Sequence, residues 1–162
     1  MTTMKLARLI LLLATLATPF RAAEALTFVN LSVRLTVGAA PGLVARGAHV
    51  GFVVSNSSGG ADKPAPIRIL VRASGPSAGV FGIATANGVE LQLGGAGGAK
   101  VLATWKDARS QIVAAAASVG AFPYGTGSGD DAMIIEAPAG AFTAMVTAAQ
   151  AGESVVEAYR LP

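Results

Sequence analysis

Hydrophobic and polar residues alternate with a period of two along much of this chain, and the cleanest run comes early. Over residues 27–37, Thr27, Val29, Leu31, Val33, Leu35 and Val37 fall on one face, and Phe28, Asn30, Ser32, Arg34 and Thr36 on the other. Alternation of that length predicts a half-buried strand and excludes an amphipathic helix, whose apolar positions recur every three or four residues. Residues 38–42, with Pro41 among glycine and alanine, break the run. A second strand is expected over 49–55, ended by a loop at 56–66 rich in Ser, Gly and Pro. A third is expected over 67–73, with Ile67, Ile69 and Val71 inward and Arg68 and Arg72 on the wet face.

The same reading continues through short strands at 80–85, at 89–93 after the Asn87-Gly88 turn signal, and at 100–105. One helix is predicted over 108–119, with Asp107 as its N-cap, Ile112, Ala115, Ala116 and Val119 as its apolar stripe, and Gly120 as its stop. Strands over 131–136, 141–148 and 153–161 complete the set, joined by tight turns at 138–140 and 151–152. The last should pair with the strand beginning at Thr27. Eight or nine short strands at near-regular spacing indicate an antiparallel sandwich or barrel. No period of 20 to 50 residues repeats, which excludes a solenoid or propeller.

The segment before the first strand has a different character. Lys5 and Arg8 precede an apolar run from Leu9, and Ala23-Glu24-Ala25 follows the turn-forming Pro19. A charged start, a short apolar stretch and a small-x-small site describe a cleavable secretory leader over 1–25. The run is too short for a bilayer span, which needs roughly 20 apolar residues. No cysteine follows it to carry a lipid, and no Arg-Arg pair marks the twin-arginine route. A single domain over 26–162 is expected to remain. Removing Lys5, Arg8, Arg21 and Glu24 from totals of 12 basic and 9 acidic residues leaves 9 and 8. The basic character that would suggest nucleic acid thus belongs largely to the leader. With no cysteine, an exported domain must hold together by core burial alone. At 52% hydrophobic and 13% charged residues the chain is not a disordered one.

An ordered set of segments carries a family resemblance. It comprises Val29-Asn-Leu-Ser-Val-Arg34 with Val37-Gly38, Gly51-Phe-Val-Val54, Ile67-Arg-Ile-Leu-Val-Arg-Ala-Ser-Gly-Pro-Ser77 with Phe81-Gly82, Ser118-Val-Gly-Ala-Phe122, Gly140-Ala-Phe-Thr-Ala-Met-Val146 and Val155-Val-Glu-Ala-Tyr159. Together these resemble an uncharacterised β-sandwich module of large secreted bacterial proteins. Residues 132–146 are also similar to the bacterial pre-peptidase C-terminal domain. That resemblance implies a jelly-roll-like sandwich and supplies no catalytic residues. Where such modules have an Asn/Asp-rich approach to the tryptophan, Trp105 here follows Ala103 and Thr104. The fold expected is therefore an all-β, antiparallel, jelly-roll-like β-sandwich of about eight strands with one short helix.

Four features bear on chemistry. Gly75-Pro-Ser-Ala-Gly79 fits the G-x-S-x-G nucleophile pattern, with His49 as the one histidine available as base. The pattern requires a helix after the serine, whereas 80–85 is β-prone, so a Gly-Pro turn is the preferred reading. Ser128, Asp130 and Asp131 in the Gly-rich stretch 125–131 are the calcium candidates, short of the full EF-hand spacing. One histidine and no cysteine leave no zinc site with the usual ligands. The glycines at 94–98 lack the G-K-[ST] ending of a phosphate loop, because Ala99 separates Gly98 from Lys100. Arg34, Arg68 and Arg72 would form a polar outer face. Without a nucleophile, base and orienting group in evident combination, the expectation is a non-enzymatic module with no cofactor. Its partner would be another protein or an extracellular polymer, not nucleic acid, with membrane contact only through the leader. The rival classes are a carbohydrate-binding module using Trp105, Phe122, Tyr124 and Tyr159, and a small hydrolase using Ser77 and His49.

Overall fold

In the computed structural model the chain is described over residues 30–38, 47–55, 65–95 and 98–162. The leader and its cleavage site, the expected strand start at 27–29, the turn at 39–42 and most of the loop at 56–66 lie outside those residues. The described strands are β1 (Asn30–Val37), β2 (Ala48–Val54), β3 (Ile67–Ser74), β4 (Asn87–Gly95), β5 (Lys100–Thr104), β6 (Asp131–Ala137), β7 (Gly140–Gln150) and β8 (Gly152–Arg160). One α-helix, α1 (Arg109–Ser118), lies between β5 and β6.

The strands form two antiparallel sheets, a five-stranded one in the order β1-β8-β3-β6-β5 and a three-stranded one in the order β2-β7-β4. The pairs β1–β8, β2–β7 and β3–β6 are those of one long hairpin folded back on itself. Rolling that hairpin adds β3 beside β8 and β4 beside β7, which is the winding of a jelly roll. The last strand does pair with the first, with Asn30 opposite Tyr159 and Val37 opposite Gly152. One strand departs from the winding. β5 pairs with β6 rather than β4, through a bulge between Val101 and Ala103.

Between the sheets lies a hydrophobic core that includes Val71, Ile135, Phe142, Ala144 and Val146. Each fully buried aliphatic side chain of this size contributes about 1.5–3 kcal/mol. A second core lies on the other side of the five-stranded sheet, where α1 and the chain after it cover the outer face. It holds Leu70, Trp105, Ile112, Ile134, Tyr159 and Leu161. β3 is therefore covered on both faces, and from Ile69 to Ser74 every residue is buried.

Three expectations are corrected. Arg72 is not on a wet face: it is 1% exposed, because α1 and the segment after it roof over that side of β3, while Arg68 remains exposed. Residues 80–85 are not a strand. Pro76 starts a 3-10 helix, Pro76–Phe81, and Gly82 in the left-handed region ends it. Only Thr85 makes a single bridge, to Glu153. Asp107 does not cap α1. The capping position is Ala108, and the Asp107 carboxylate instead accepts a hydrogen bond from the Thr104 hydroxyl at 2.7 Å. The predicted apolar stripe holds, with Ile112 and Ala116 buried and Ala115 and Val119 packed against the same core.

Candidate functional site

The fold gathers most of the chemically notable side chains at one end of the five-stranded sheet. The 3-10 helix follows β3 there, and residues 121–131 pass beside it on their way from α1 into β6. Between the two is a depression of about 380 Å³ lined by Pro76, Ser77, Val80, Pro123, Tyr124, Gly125 and Ser128.

Asp130 organises one wall of this end. Its carboxylate accepts the backbone N–H of Gly75 at 2.6 Å and of Ser77 at 3.2 Å, and the Ser77 hydroxyl also donates to it. These N–H groups open the 3-10 helix and have no partner within it. Asp130 thus acts as a cap supplied from across the chain. The Ser77 oxygen in turn accepts the Gly125 N–H at 3.0 Å, which ties the two loops together. Gly75 is required by a close approach: a Cβ there would stand 2.5 Å from the Ala86 carbonyl oxygen.

Asp131, the first residue of β6, points elsewhere. One of its oxygens accepts the Leu91 N–H of β4 and the other the Ala132 N–H, both at 2.9 Å. Burial raises its carboxyl above the ordinary range, and the two N–H donors offset part of that rise. The two calcium candidates are consequently turned to different backbone partners. Ser128, the third, has a buried hydroxyl with no hydrogen-bond partner in the structure. Among the described residues no group of three His, Cys, Asp or Glu side chains is placed to hold a metal ion.

Behind the depression lies a buried polar hub. Arg72 and Glu157 are direct neighbours across β3 and β8 and form an ion pair at 3.2 Å, both nearly inaccessible to solvent. The alignment is that of a charge pair rather than of a well-formed hydrogen bond, for neither paired atom has a hydrogen-bond partner. The second terminal guanidinium nitrogen, Nη2, donates to the Phe122 carbonyl at 2.7 Å. The guanidinium lies over both aromatic rings of the roof, 4.4 Å from the Phe122 centroid and 4.2 Å from that of Tyr124. Tyr159 donates to Glu157 at 2.7 Å. Its phenol is pushed up to about 12, by burial first and then by the adjacent carboxylate. The Tyr124 oxygen is 2.9 Å from the Ser74 hydroxyl and donates to the Asp131 carbonyl at 3.3 Å. Burial raises the Tyr124 phenol well above its usual range, against the pull of the nearby Arg72 charge.

The rings named as a possible carbohydrate platform are all drawn inward. Trp105 is 5% exposed, edge-on to Tyr124 with centroids 5.2 Å apart, and Arg109 lies over its ring. Tyr159 is equally buried, and Phe122 and Tyr124 are half-buried over Arg72. Among the described residues the ring that does stand in solvent is Phe81, 59% exposed and edge-on to Phe122, beside Val80 at 78%. Trp105 sits beneath α1 on the outside of the five-stranded sheet.

Ser77 and His49 are not brought together. His49 is an exposed residue of β2, paired with Met145 of β7 in the three-stranded sheet. Ser77 is engaged by Asp130 and Gly125 at the end of the other sheet. Among the described residues no side chain other than hydrogen occupies the positive-φ region, so Ser77 is not raised on a strained turn as a nucleophile elbow requires. Arg34 remains exposed, with its Nε donating to Glu153 at 2.8 Å. The pair raises the Arg34 guanidinium and lowers the Glu153 carboxyl, each mainly through the hydrogen bonding between them. No family model, curated protein or solved structure matches the chain.

Sequence reasoning missed the Arg72–Glu157 hub and the capping role of Asp130. A buried arginine needs a carboxylate within reach. Glu157, alone among the hydrophobic residues Val155, Val156, Ala158 and Tyr159, is the signal that could have found it.

Proposed function

We propose that this chain is a secreted, non-enzymatic β-sandwich that works through surface contact, as an accessory, adhesion or envelope-structural module, in the periplasm or outside the cell. The observation that carries this reading is the engagement of Ser77. Its hydroxyl, the one a hydrolase would use, donates to Asp130 and accepts from Gly125, and no imidazole stands beside it. The other ionisable groups at that end are likewise turned to backbone atoms or to one another. What remains open is apolar surface, the Val80–Phe81 outcrop above all, which suits a partner and not a small substrate. The reading also groups the chain with the secreted bacterial sandwich modules that its ordered segments resemble.

The carbohydrate-binding alternative draws less support, since flat sugar faces are met by exposed rings and three of the four rings in question lie in or over the second core. The test pairs two measurements on purified protein. Hydrolysis of a panel of aryl and acyl esters should stay at the buffer rate, with Ser77→Ala indistinguishable from wild type. The protein should sediment with envelope fractions or secreted polymers. Ester turnover that Ser77→Ala abolishes would overturn the proposal in favour of the hydrolase.

A further inference from the structure

A two-sheet sandwich has four edge strands, here β1 and β5 in one sheet and β2 and β4 in the other. An unprotected edge is a row of free N–H and C=O groups that templates another strand, so edges are normally blunted by charge, bulges or covering loops. Three of these edges carry such a device. β5 is bulged between Val101 and Ala103 and begins with Lys100. β1 carries the exposed Arg34 and its ion pair with Glu153. On β4 the N–H groups of Val89 and Leu91 are taken up by the Gly129 carbonyl at 2.8 Å and by Asp131 at 2.9 Å.

Among the described residues β2 has none of them. Its seven residues, AHVGFVV, include no lysine, arginine, aspartate, glutamate or proline, and its register with β7 is unbroken from Ala48↔Val146 to Val54↔Gly140. Among the described residues its ladder runs to β7 alone, and no other backbone hydrogen bond reaches it. Val53 on its outer face is 75% exposed.

We propose that the β2 edge is a pairing edge for a second copy of this chain, joined antiparallel about a two-fold axis at Gly51. This goes beyond the surface-contact reading and stands on the edge alone. About that axis Ala48 faces Val54 of the second copy, His49 faces Val53, and Val50 faces Phe52. The strand is self-complementary. Its one titratable side chain meets a valine, so no like charges oppose across the axis, and the exposed Val53 is covered. The two three-stranded sheets become one of six strands.

The chain contains no cysteine, so a single introduced one reports on the axis. Directly opposed residues in an antiparallel pair lie about 4.5–5.5 Å apart at Cα, within disulfide range. Gly51 tolerates a side chain, because its nearest neighbour to an added Cβ is the Phe142 carbonyl oxygen at 4.0 Å. The protein should sediment at the mass of two copies. Gly51→Cys should form a disulfide-linked dimer under mild oxidation, far faster than Lys100→Cys on the bulged β5 edge. Val53→Lys should shift the protein to the mass of one copy that still unfolds cooperatively, since that side chain lies outside both cores and only the stabilisation by dimerisation is lost. A one-copy mass at every concentration, equal cross-linking at positions 51 and 100, or a dimer that Val53→Lys leaves intact would each overturn the proposal.

Discussion

The two cores of this molecule share one sheet and are built on different principles. The core between the sheets is filled by aliphatic side chains with Phe142, and nothing in it carries a charge. The core beneath α1 holds the single tryptophan, two tyrosines at its centre or margin, and the Arg72–Glu157 pair. β3 supplies both, with Ile69, Val71 and Ala73 on one side and Leu70, Arg72 and Ser74 on the other. The inner core needs only apolar residues of the right size at alternate positions. The outer one depends on polar groups meeting partners from distant parts of the chain, so its stability rests on a few specific residues.

Loss of β8 should abolish the distinction by removing both cores together. β8 lies between β1 and β3, with Val156 in the inner core and Tyr159 under α1. A chain ending at Ala151 should be insoluble or molten, judged by solubility and by the absence of a cooperative unfolding transition. A soluble, sharply unfolding product would mean that neither core depends on β8.

Breaking the ion pair probes the outer core alone. Glu157→Ala leaves the Arg72 charge buried beside two rings without its carboxylate and should cost about 3–5 kcal/mol in denaturant unfolding. Replacing both members, as Arg72→Met with Glu157→Leu, should recover most of that loss, because well-packed apolar residues commonly equal or exceed a buried pair in stability. If the double variant remains as unstable as the single one, the hub is held by geometry that hydrophobic packing cannot replace.

Trp105→Ala should cost about 3 kcal/mol, as should Phe142→Ala in the inner core, since both delete a buried ring. Tryptophan emission in the wild type should be that of a buried indole, and water-like emission would remove Trp105 from the outer core. A smaller loss is expected for Asp130→Ala, about 1–3 kcal/mol, from leaving the Gly75 and Ser77 N–H groups without an acceptor. That change should loosen the end of the molecule around the 3-10 helix and leave the inner core intact. Hydrogen exchange would separate the two, with faster exchange expected at Gly75 and Ser77 and none of it at Val71.

The smallest effect concerns pH. The Asp131 carboxyl is raised in the folded state, chiefly by burial, so its contribution to stability is full below the unfolded value and fades as pH rises through the raised one. Asp131→Asn should flatten that slope just above the ordinary carboxylate range. An unchanged slope in urea unfolding would show that Asp131 is not its source.

Period-two alternation was enough to read the class, the positions of most strands and the pairing of the last strand with the first, because an inter-sheet core imposes that period directly. Alternation also misled where burial comes from both sides. Arg72 obeys the outward parity of β3, and nothing local reveals that α1 roofs that face. The 3-10 helix at Pro76–Phe81 was hidden by β-prone Val80 and Phe81, which tertiary context overrode. Ser77 and Asp130 were each visible as polar residues near glycines, but that the two touch was not. Their meeting is set by β3 and β6 lying side by side, with Ala73 opposite Asp131.

By itself, then, the sequence determined what repeats along the strand axis: alternating burial, turn positions, and the absence of cysteine chemistry. Tertiary structure decided everything that depends on which strands become neighbours. It fixed which face of the sheet α1 covers, that Arg72 is paired inside rather than solvated, that β5 joins β6, and that Asp130 caps a helix some fifty residues before it. The physical reason is range. Backbone geometry ties side-chain direction to position within one strand, whereas the partner of a buried charge is chosen by the packing of the whole chain.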